Sequence, residues 1–167
     1  MRNVILSLPR CGSAWLAAYF GYLHDPLIHL SQAQVAHHSI VDTGAAVDPE
    51  MALGRYKADN TVVVVGSSSR VSQSLAKLGY PVGRSLVEEW TDRLARCALN
   101  NQLSMFEYSD LFGEFALADE PLRLCEALGE DYDSARWSNQ QQLNVQHSIL
   151  HYSADGYNRY VEWLRAS

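Results

Sequence analysis

The sequence predicts an α/β protein with a single open, mainly parallel sheet flanked by helices. A unit of strand, loop and helix occurs twice, near residues 4–20 and again near residues 61–78. The apolar run at residues 61–65 is continuous rather than alternating, which is typical of a strand covered by helices on both faces. Hydrophobic residues make up 47% and charged residues 19% of the 167 residues, as in globular chains. We therefore expect residues 1–167 to form one α/β domain.

The first unit begins with an apolar strand at residues 4–8, which Pro9 interrupts. A helix at residues 13–20 follows, and Ser13 is its expected N-cap. A tight loop containing Gly12 joins the two elements. The unit therefore predicts a sharp turn from a strand directly into a helix.

The second unit pairs the strand at residues 61–65 with a helix at residues 70–78, for which Gly79 is a natural stop. The apolar side chains of this helix are predicted to share one face: Val71, Leu75 and Leu78. Two shorter strands are predicted at residues 39–41 and 104–108.

Three further helices are predicted in the second half of the chain. Ser85 and Glu88 have the spacing of a capping box, in which each side chain bonds the other residue's backbone N–H. The apolar residues that follow at helical spacing are Leu86, Trp90, Leu94 and Ala98. A second helix runs from Pro121 to Gly129, and a last one covers residues 156–165. In such a sheet, ligands bind beyond the carboxyl ends of the strands, so a site is expected in the loops that follow strands.

The charge balance limits the classes of partner. Lys and Arg number 13 against 19 Asp and Glu, which gives a net charge of −6. No basic run is present to follow a phosphate backbone, so nucleic acid is not an expected partner. No apolar run is long enough for a membrane span or a secretion signal, and the three cysteines lack metal-type spacing. We therefore expect a soluble cytoplasmic protein with reduced thiols and no membrane partner.

The loop at residues 9–15 has the features of an anion site. Unpaired N–H groups at a helix start point outward, Gly12 allows close approach and Arg10 adds a full positive charge. The Gly-Lys-Ser/Thr ending of nucleotide triphosphate loops is absent, which disfavours an ordinary ATPase. A turn with a helix cap and no ligand is the structural alternative. A nucleophilic Cys11 is another, although Ala17 stands where a phosphatase would have its arginine.

Two pairs of polar residues follow predicted elements. His24 and Asp25 can orient an acceptor hydroxyl and remove its proton, because histidine titrates near neutrality and a carboxylate fixes its tautomer. A cap or surface position is the alternative for His24. Asp42 and Thr43 either bind substrate or end a strand through an Asx-type turn. No group of histidines, cysteines and carboxylates has a familiar zinc pattern, so no metal is expected.

Residues 9–15, Pro-Arg-Cys-Gly-Ser-Ala-Trp, resemble the first motif of the sulfotransferase family, which reads roughly Pro-Arg/Lys-Ser-Gly-Thr-Thr-Trp after a first strand. In that family the motif cradles the 5′-phosphosulfate of the donor PAPS. The resemblance implies a P-loop NTPase-like sulfotransferase fold. It also implies donor contacts from the residues of this loop: Pro9, Arg10, Cys11, Gly12, Ser13, Ala14 and Trp15.

The family's second motif is Arg-Asp-Pro after a later strand, with a serine further along the helix. Its arginine and serine hold the 3′-phosphate of the donor. Residues 62–75 match in position, with Ser74 on the serine and Gly66 on the arginine. The resemblance then implies that the 3′-phosphate is held by the polar residues that remain: Ser67, Ser69, Arg70 and Ser74. The larger members also cover the nucleotide with a basic late segment, whereas residues 153–157 here contain no basic residue.

The order of the remaining motifs resembles the small sulfotransferase-like proteins of bacteria and their phages. In those proteins a His-Glu pair follows the first helix, and an Asp-Thr-Gly segment comes next. A series of Leu-Gly, an aspartate, an arginine and Leu-Asn-Val-Gln then closes the fold. This chain has the following counterparts: His24-Asp25, Asp42-Thr43-Gly44, Leu128-Gly129, Asp133, Arg136 and residues 143–146. The resemblance covers about residues 3–147.

The resemblance implies that a sulfuryl group moves from PAPS, or a related phosphorylated adenosine, to a hydroxyl or amine of a small acceptor without a metal. Arg10 would stabilise charge on the leaving phosphate, and His24 or Asp25 would take the acceptor's proton. Asp42 and Thr43 would bind the acceptor. One alternative is a protein that keeps the fold without the chemistry and binds a protein partner or a second copy. Another is a phosphotransferase that uses a different nucleotide.

Overall fold

The computed structural model describes residues 1–28 and 30–141 and confirms an α/β architecture around one sheet. The sheet contains β1 (Asn3–Ser7), β2 (Leu23–His24), β3 (Ile40–Asp42), β4 (Asn60–Val65) and β5 (Ser104–Glu107). These strands are ordered β2-β3-β1-β4-β5, and every neighbouring pair is parallel. The predicted parallel sheet is therefore confirmed.

Helices connect the strands and flank the sheet. They are α1 (Ser13–Phe20), α2 (Gln32–Val35), α3 (Pro49–Tyr56), α4 (Ser68–Lys77), α5 (Arg84–Asn100), α6 (Tyr108–Leu111), α7 (Glu120–Leu128) and α8 (Ser134–Gln141). Short 3-10 turns occupy Pro26–Ile28 and Gly44–Ala46. The helix predicted at residues 156–165, the segment 153–157 and the closing motif at 143–146 lie outside the described residues. No helix in the described ranges has both the length and the apolar character needed to cross a membrane.

The central strand β1 brings the polar loops to one end of the sheet. Val4 of β1 is aligned with Ile40 of β3 and with Thr61 of β4. Because all of the paired strands run in the same direction, the loops that follow them emerge at the same end. The loop after β1 therefore lies between the loops after β3 and β4.

The interior strand β4 is buried as its continuous apolar pattern predicts. Residues 62–65 are at most 1% exposed, and both α5 and α7 pack against this strand. Burying a valine side chain fully contributes roughly 1.5–3 kcal/mol. This core fixes the strand ends that carry the polar loops.

Two helix caps differ from the predictions. The N-cap of α1 is Gly12 rather than Ser13, because the Ser13 hydroxyl contacts another side chain. The prediction of a capping box formed by Ser85 and Glu88 is wrong. The N-cap of α5 is Gly83, which has no side chain, and the carboxylate of Glu88 accepts a hydrogen bond from Arg84 Nε at 2.8 Å.

The buried faces of α4 and α5 also differ from the predicted ones. On α5, Val87 is fully buried, whereas Leu86 is 38% exposed. On α4, Val71 and Leu75 are buried as predicted, whereas Leu78 is 51% exposed. The α4 helix begins at Ser68, earlier than predicted, because the hydroxyl of the preceding residue caps its first turn. Leu78 lies just past the end of α4 and lines a cavity described below.

Candidate functional site

The loop between β1 and α1 has two residues in the left-handed backbone region. Arg10 has a φ of 65° and Gly12 a φ of 76°. A Cβ atom at Gly12 would lie 2.6 Å from the ring of Phe112, so only glycine fits there. For a non-glycine residue such as Arg10, this conformation costs roughly 1–2 kcal/mol. Backbone strain of this kind concentrates at functional sites, where the surrounding structure enforces it.

The same loop presents backbone N–H groups that bond to none of the described residues. They belong to Cys11, Gly12, Ser13 and Ala14. Further along the helix, Leu16 N donates to Gly12 O at 2.8 Å. Amides at a helix start carry partial positive charge and attract anions. The donors of the predicted anion site are therefore not occupied by the described part of the protein.

Arg10 is connected to α4 by a hydrogen bond. Its Nε donates to Ser74 Oγ at 2.9 Å. The resemblance implies that Ser74 binds the phosphate of a donor directly. In the structure its hydroxyl holds a cation of the neighbouring loop, so its contribution to an anion site would pass through Arg10.

His24, at the end of β2, contacts both the loop and a carboxylate. Its Nε2 lies 3.0 Å from Ser13 Oγ and 3.5 Å from Asp25 Oδ2. In the tautomer with a free lone pair on Nε2, Ser13 donates to His24, and Asp25 stabilises the imidazolium that forms when Nε2 takes up a proton. In a serine-hydrolase triad the serine and the carboxylate face different ring nitrogens, whereas here both face Nε2. The arrangement suits a proton acceptor beside an anion site rather than a serine nucleophile.

Asp25 is held inside the protein by Thr43. Its side chain is buried, Oδ1 accepts a hydrogen bond from Thr43 N at 2.6 Å, and Oδ2 accepts one from Thr43 Oγ1 at 2.8 Å. These bonds join the end of β2 to the end of β3. Because both carboxylate oxygens are engaged, Asp25 is placed to orient His24 rather than to receive an acceptor's proton itself.

Asp42 is the last residue of β3, and its carboxylate is hydrogen-bonded inside the protein to other described residues. Its Oδ1 accepts from Gly44 N at 2.8 Å and from Ala45 N at 3.3 Å, and the Tyr56 hydroxyl donates to Oδ2. Burial raises the pKa of Asp42 to about 7, and the nearby Asp25 carboxylate adds to the rise. The bond to Gly44 N is that of an Asx-type turn, which is the structural alternative for Asp42.

A small cavity, which we call the inner chamber, lies beyond the ends of β1, β2 and β3. Its volume is about 60 Å³. Its polar wall consists of Arg10, Ser13, His24 and Thr43, and its apolar wall includes Leu75, Leu78 and Tyr80. Candidate residues from three separate loops therefore meet in one space.

A larger cavity, which we call the outer cleft, lies beyond the ends of β4 and β5. Its volume is about 390 Å³. The residues that line it include Gly66, Ser67, Arg70, Glu107, Tyr108, Phe112 and Glu114. Of the candidate serines, Ser67 lines the outer cleft, whereas Ser69 is absent from both linings and accepts a hydrogen bond from Gln73 Nε2 at 3.5 Å.

Arg70 lies in the space next to Gly66. Its Nη2 is 3.6 Å from Cys11 Sγ, and its guanidinium carbon is 3.6 Å from the centroid of the Tyr108 ring. A Cβ atom at Gly66 would lie 2.8 Å from Cys11 Sγ and 3.1 Å from Arg70 Nη2, so a side chain has no room there. The family that the sequence resembles has an arginine at this position. Here the guanidinium of Arg70 lies beside it.

Cys11 and Trp15 are buried residues of the loop. Burial raises the pKa of the Cys11 thiol to about 12, in spite of the nearby Arg70. The thiol therefore stays protonated at neutral pH, which argues against a nucleophilic cysteine. Trp15 is 9% exposed, and its ring packs against Tyr19, Phe112 and Trp137. These aromatic contacts support the loop from the core.

Three residues that line the outer cleft or contact a candidate residue were not singled out by the sequence: Glu107, Tyr108 and Tyr56. Glu107 and Tyr108 are the last two residues of the strand predicted at 104–108, so their position at the end of a strand is the signal that marks them. Tyr56 has no such local signal, because it reaches Asp42 from α3. Among residues 1–28 and 30–141, no group of three or more histidines, cysteines and carboxylates is placed to hold a metal ion.

A scan of the chain against known protein families finds no match, and neither does a search of curated proteins. The resemblance to sulfotransferases therefore stays a hypothesis. It depends on the order of the motifs, and the geometry of the two cavities shows what those motifs can do.

Proposed function

We propose that the protein transfers a sulfuryl group from an adenosine phosphosulfate to a hydroxyl or amine of a small acceptor. The donor is PAPS in the family that the sequence resembles. The observation that supports the proposal most is a loop whose amides bond to none of the described residues, with an arginine in each of the two neighbouring cavities. Arg10 lines the inner chamber, and Arg70 lines the outer cleft beside Cys11 of the same loop. A phosphate bound to the amides would lie between two cations.

The sizes of the two cavities fit different parts of such a donor. Ligand pockets typically measure about 300–1,000 Å³, and the outer cleft, at about 390 Å³, falls in this range. The inner chamber, at about 60 Å³, admits only a group of a few atoms. We therefore assign the adenosine to the outer cleft, and the sulfuryl group with the reacting end of the acceptor to the inner chamber.

The transfer step uses groups that line the inner chamber. The acceptor oxygen or nitrogen attacks sulfur, the bond between sulfur and the bridging oxygen breaks, and its electron pair stays on the phosphate. The loop amides and Arg10 stabilise this charge. His24 takes the acceptor's proton at Nε2, and Asp25 stabilises the resulting imidazolium. The products are the sulfated acceptor and the adenosine nucleotide.

A protein that binds the nucleotide without transferring a group is the second candidate. The lack of room for a side chain at Gly66 favours this second candidate. An arginine there could bind a phosphate through two hydrogen bonds, and this protein lacks that contact. This candidate and the transferase share the binding site and differ only in turnover.

Calorimetry with adenosine 5′-monophosphate and adenosine 3′,5′-bisphosphate tests the binding claim. We expect heat of binding in the wild type and an affinity at least about tenfold lower in Arg10→Ala, because a charge-assisted bond to the anion is lost. Arg96→Ala, which removes an exposed arginine of α5, is the matched control and should bind as the wild type does. Absence of binding of both nucleotides at millimolar concentration would overturn the proposal.

Transfer of radiolabelled sulfate from adenosine phosphosulfates to a panel of alcohols, phenols and amines tests the chemistry. His24→Gln should bind nucleotide normally and transfer about 10²- to 10⁴-fold more slowly. Nucleotide binding together with no transfer to any acceptor class would favour the binding protein over the enzyme.

A further inference from the structure

Among the residues that the structure describes, those lining the outer cleft carry more negative than positive charge. Arg70 is the cation that lines it, and Glu107 and Glu114 are the carboxylates. Both glutamates are exposed. At Gly66, where a second cation would face the cleft, a side chain has no room. A ligand in this cleft therefore meets one guanidinium and two carboxylates.

The charges of Glu107 and Arg70 both affect Cys11. It is the last residue of β5, and the next residue, Tyr108, carries the ring over which the guanidinium of Arg70 lies. The charge of Glu107 raises the pKa of Cys11 in the loop, whereas the charge of Arg70 lowers it. The carboxylate and the guanidinium line the same cleft, next to the loop at residues 9–15.

A carboxylate and a guanidinium favour different forms of a ribose. A carboxylate accepts hydrogen bonds from ribose hydroxyls, whereas a phosphate on the ribose requires a cation in its place. Sites for NAD and NADP differ in this way. A phosphate dianion beside Glu107 and Glu114 would meet like charges that a single Arg70 does not balance.

We infer that the outer cleft selects an adenosine nucleotide whose ribose hydroxyls are free over one that carries a second phosphate on the ribose. The inference rests on the proposed function and names its donor class as adenosine 5′-phosphosulfate rather than PAPS. In the step, the acceptor forms a bond to sulfur, the bond from sulfur to the 5′-phosphate oxygen breaks, and the acceptor's proton passes to His24. The leaving nucleotide is then adenosine 5′-monophosphate.

Competition between two nucleotides tests this inference. Calorimetry at low salt should show that adenosine 5′-monophosphate binds about three- to tenfold more tightly than adenosine 3′,5′-bisphosphate. Glu107→Gln should reduce or reverse this ratio by a similar factor, because it removes one like charge and keeps the side-chain volume. Glu126→Gln, which neutralises an exposed glutamate of α7, is the matched control and should leave the ratio unchanged. The preference should also shrink at high salt.

Two results would overturn the inference while leaving the proposed function intact. One is tighter binding of the bisphosphate than of the monophosphate by the wild type. The other is a Glu107→Gln variant with the wild-type ratio and a wild-type circular dichroism spectrum. If neither nucleotide binds, the inference and the proposed function fail together.

Discussion

The two ends of the parallel sheet use polar side chains in opposite ways. At the amino end, polar side chains bond to one another and to backbone carbonyls across several elements. At the carboxyl end, Arg10 and Arg70 each line a cavity, and loop residues whose amides bond to none of the described residues line the inner chamber. Both ends contain carboxylates and hydrogen-bonding amides, so polar composition alone does not tell them apart. The difference is whether the donors are used by the protein or directed into a space that a ligand can enter.

At the amino end of the sheet, polar side chains have hydrogen-bond partners within the protein. Asn3 Nδ2 donates to Tyr22 Oη at 2.7 Å and to Glu130 Oε1 at 2.9 Å, and Tyr22 Oη donates to the same carboxylate oxygen at 2.6 Å. Asn60 Nδ2 completes the network by donating to Asn3 Oδ1 at 3.0 Å. Arg2 donates to the carbonyls of three residues: Tyr56, His38 and Val35. This end should therefore contribute stability and not binding.

Removing the centre of the amino-end network should have the largest effect. Asn3→Ala breaks three side-chain hydrogen bonds at a residue that is 1% exposed and leaves the Glu130 carboxylate with fewer donors. We expect a loss of about 2–4 kcal/mol in the free energy of unfolding, measured by urea titration, with unchanged nucleotide affinity of the folded protein. Asn100→Ala, at an exposed position of α5, should stay within about 0.5 kcal/mol of the wild type. A weakened nucleotide affinity in Asn3→Ala would contradict the division between the two ends.

Substitution of Arg10 by glycine should have the opposite effect, with lower nucleotide affinity and little change in the free energy of unfolding. Arg10→Gly relieves a left-handed conformation worth roughly 1–2 kcal/mol and loses the bond to Ser74, worth about 0.5–1.5 kcal/mol. The free energy of unfolding should therefore change by less than about 1 kcal/mol, whereas nucleotide affinity falls by about 1.5–3 kcal/mol, more than tenfold. Urea titration and calorimetry on the same preparation measure both. A variant that unfolds readily and binds normally would show that Arg10 belongs with the structural residues.

The strands and long helices could be predicted because each is a local pattern. The valine run of β4 and the spacing of Leu124 and Leu128 in α7 reflect burial directly. The strand β2 (Leu23–His24) is too short to show any period, and it exists because β3 provides a hydrogen-bonding edge. The helix α3 does carry a local signal, since Asp48 caps Met51 N and Pro49 occupies the first turn.

The candidate site could be predicted in part for the same reason. Arg10 follows a predicted strand, so its place at the carboxyl end of a parallel sheet follows from the fold class. His24 ends β2, which was not predicted, so its place in the sheet could not be predicted. Their partners could not be predicted in this way. The bond from Arg10 to Ser74 and the approach of Arg70 to Gly66 depend on distances between loops that are far apart in the chain. No local periodicity reports such distances.

The carboxyl end should also give stability a pH dependence through Asp42. Burial and Asp25 raise the pKa of Asp42 to about 7, above the value of about 3.9 in an unfolded chain. Between about pH 4 and 7, the folded state binds more protons than the unfolded state, so stability falls as pH rises through this window and is level above it. We expect the free energy of unfolding of the wild type to fall through this window relative to that of Asp42→Asn, measured from urea midpoints at several pH values. An equal slope in both proteins would assign the dependence to other groups.

The smallest expected effect separates two accounts of Ser74. If Ser74 acts by holding Arg10, as the bond of 2.9 Å between Nε and Oγ indicates, Ser74→Ala should weaken nucleotide binding by about 0.5–1.5 kcal/mol in the wild-type background. In the Arg10→Ala background the same substitution should then have almost no effect, because its partner is already absent. If Ser74 instead contacts the phosphate directly, as the motif resemblance implies, the two losses should add. A double-mutant cycle measured by calorimetry therefore decides whether this serine serves the cation or the ligand, and unchanged binding in Ser74→Ala would exclude both roles.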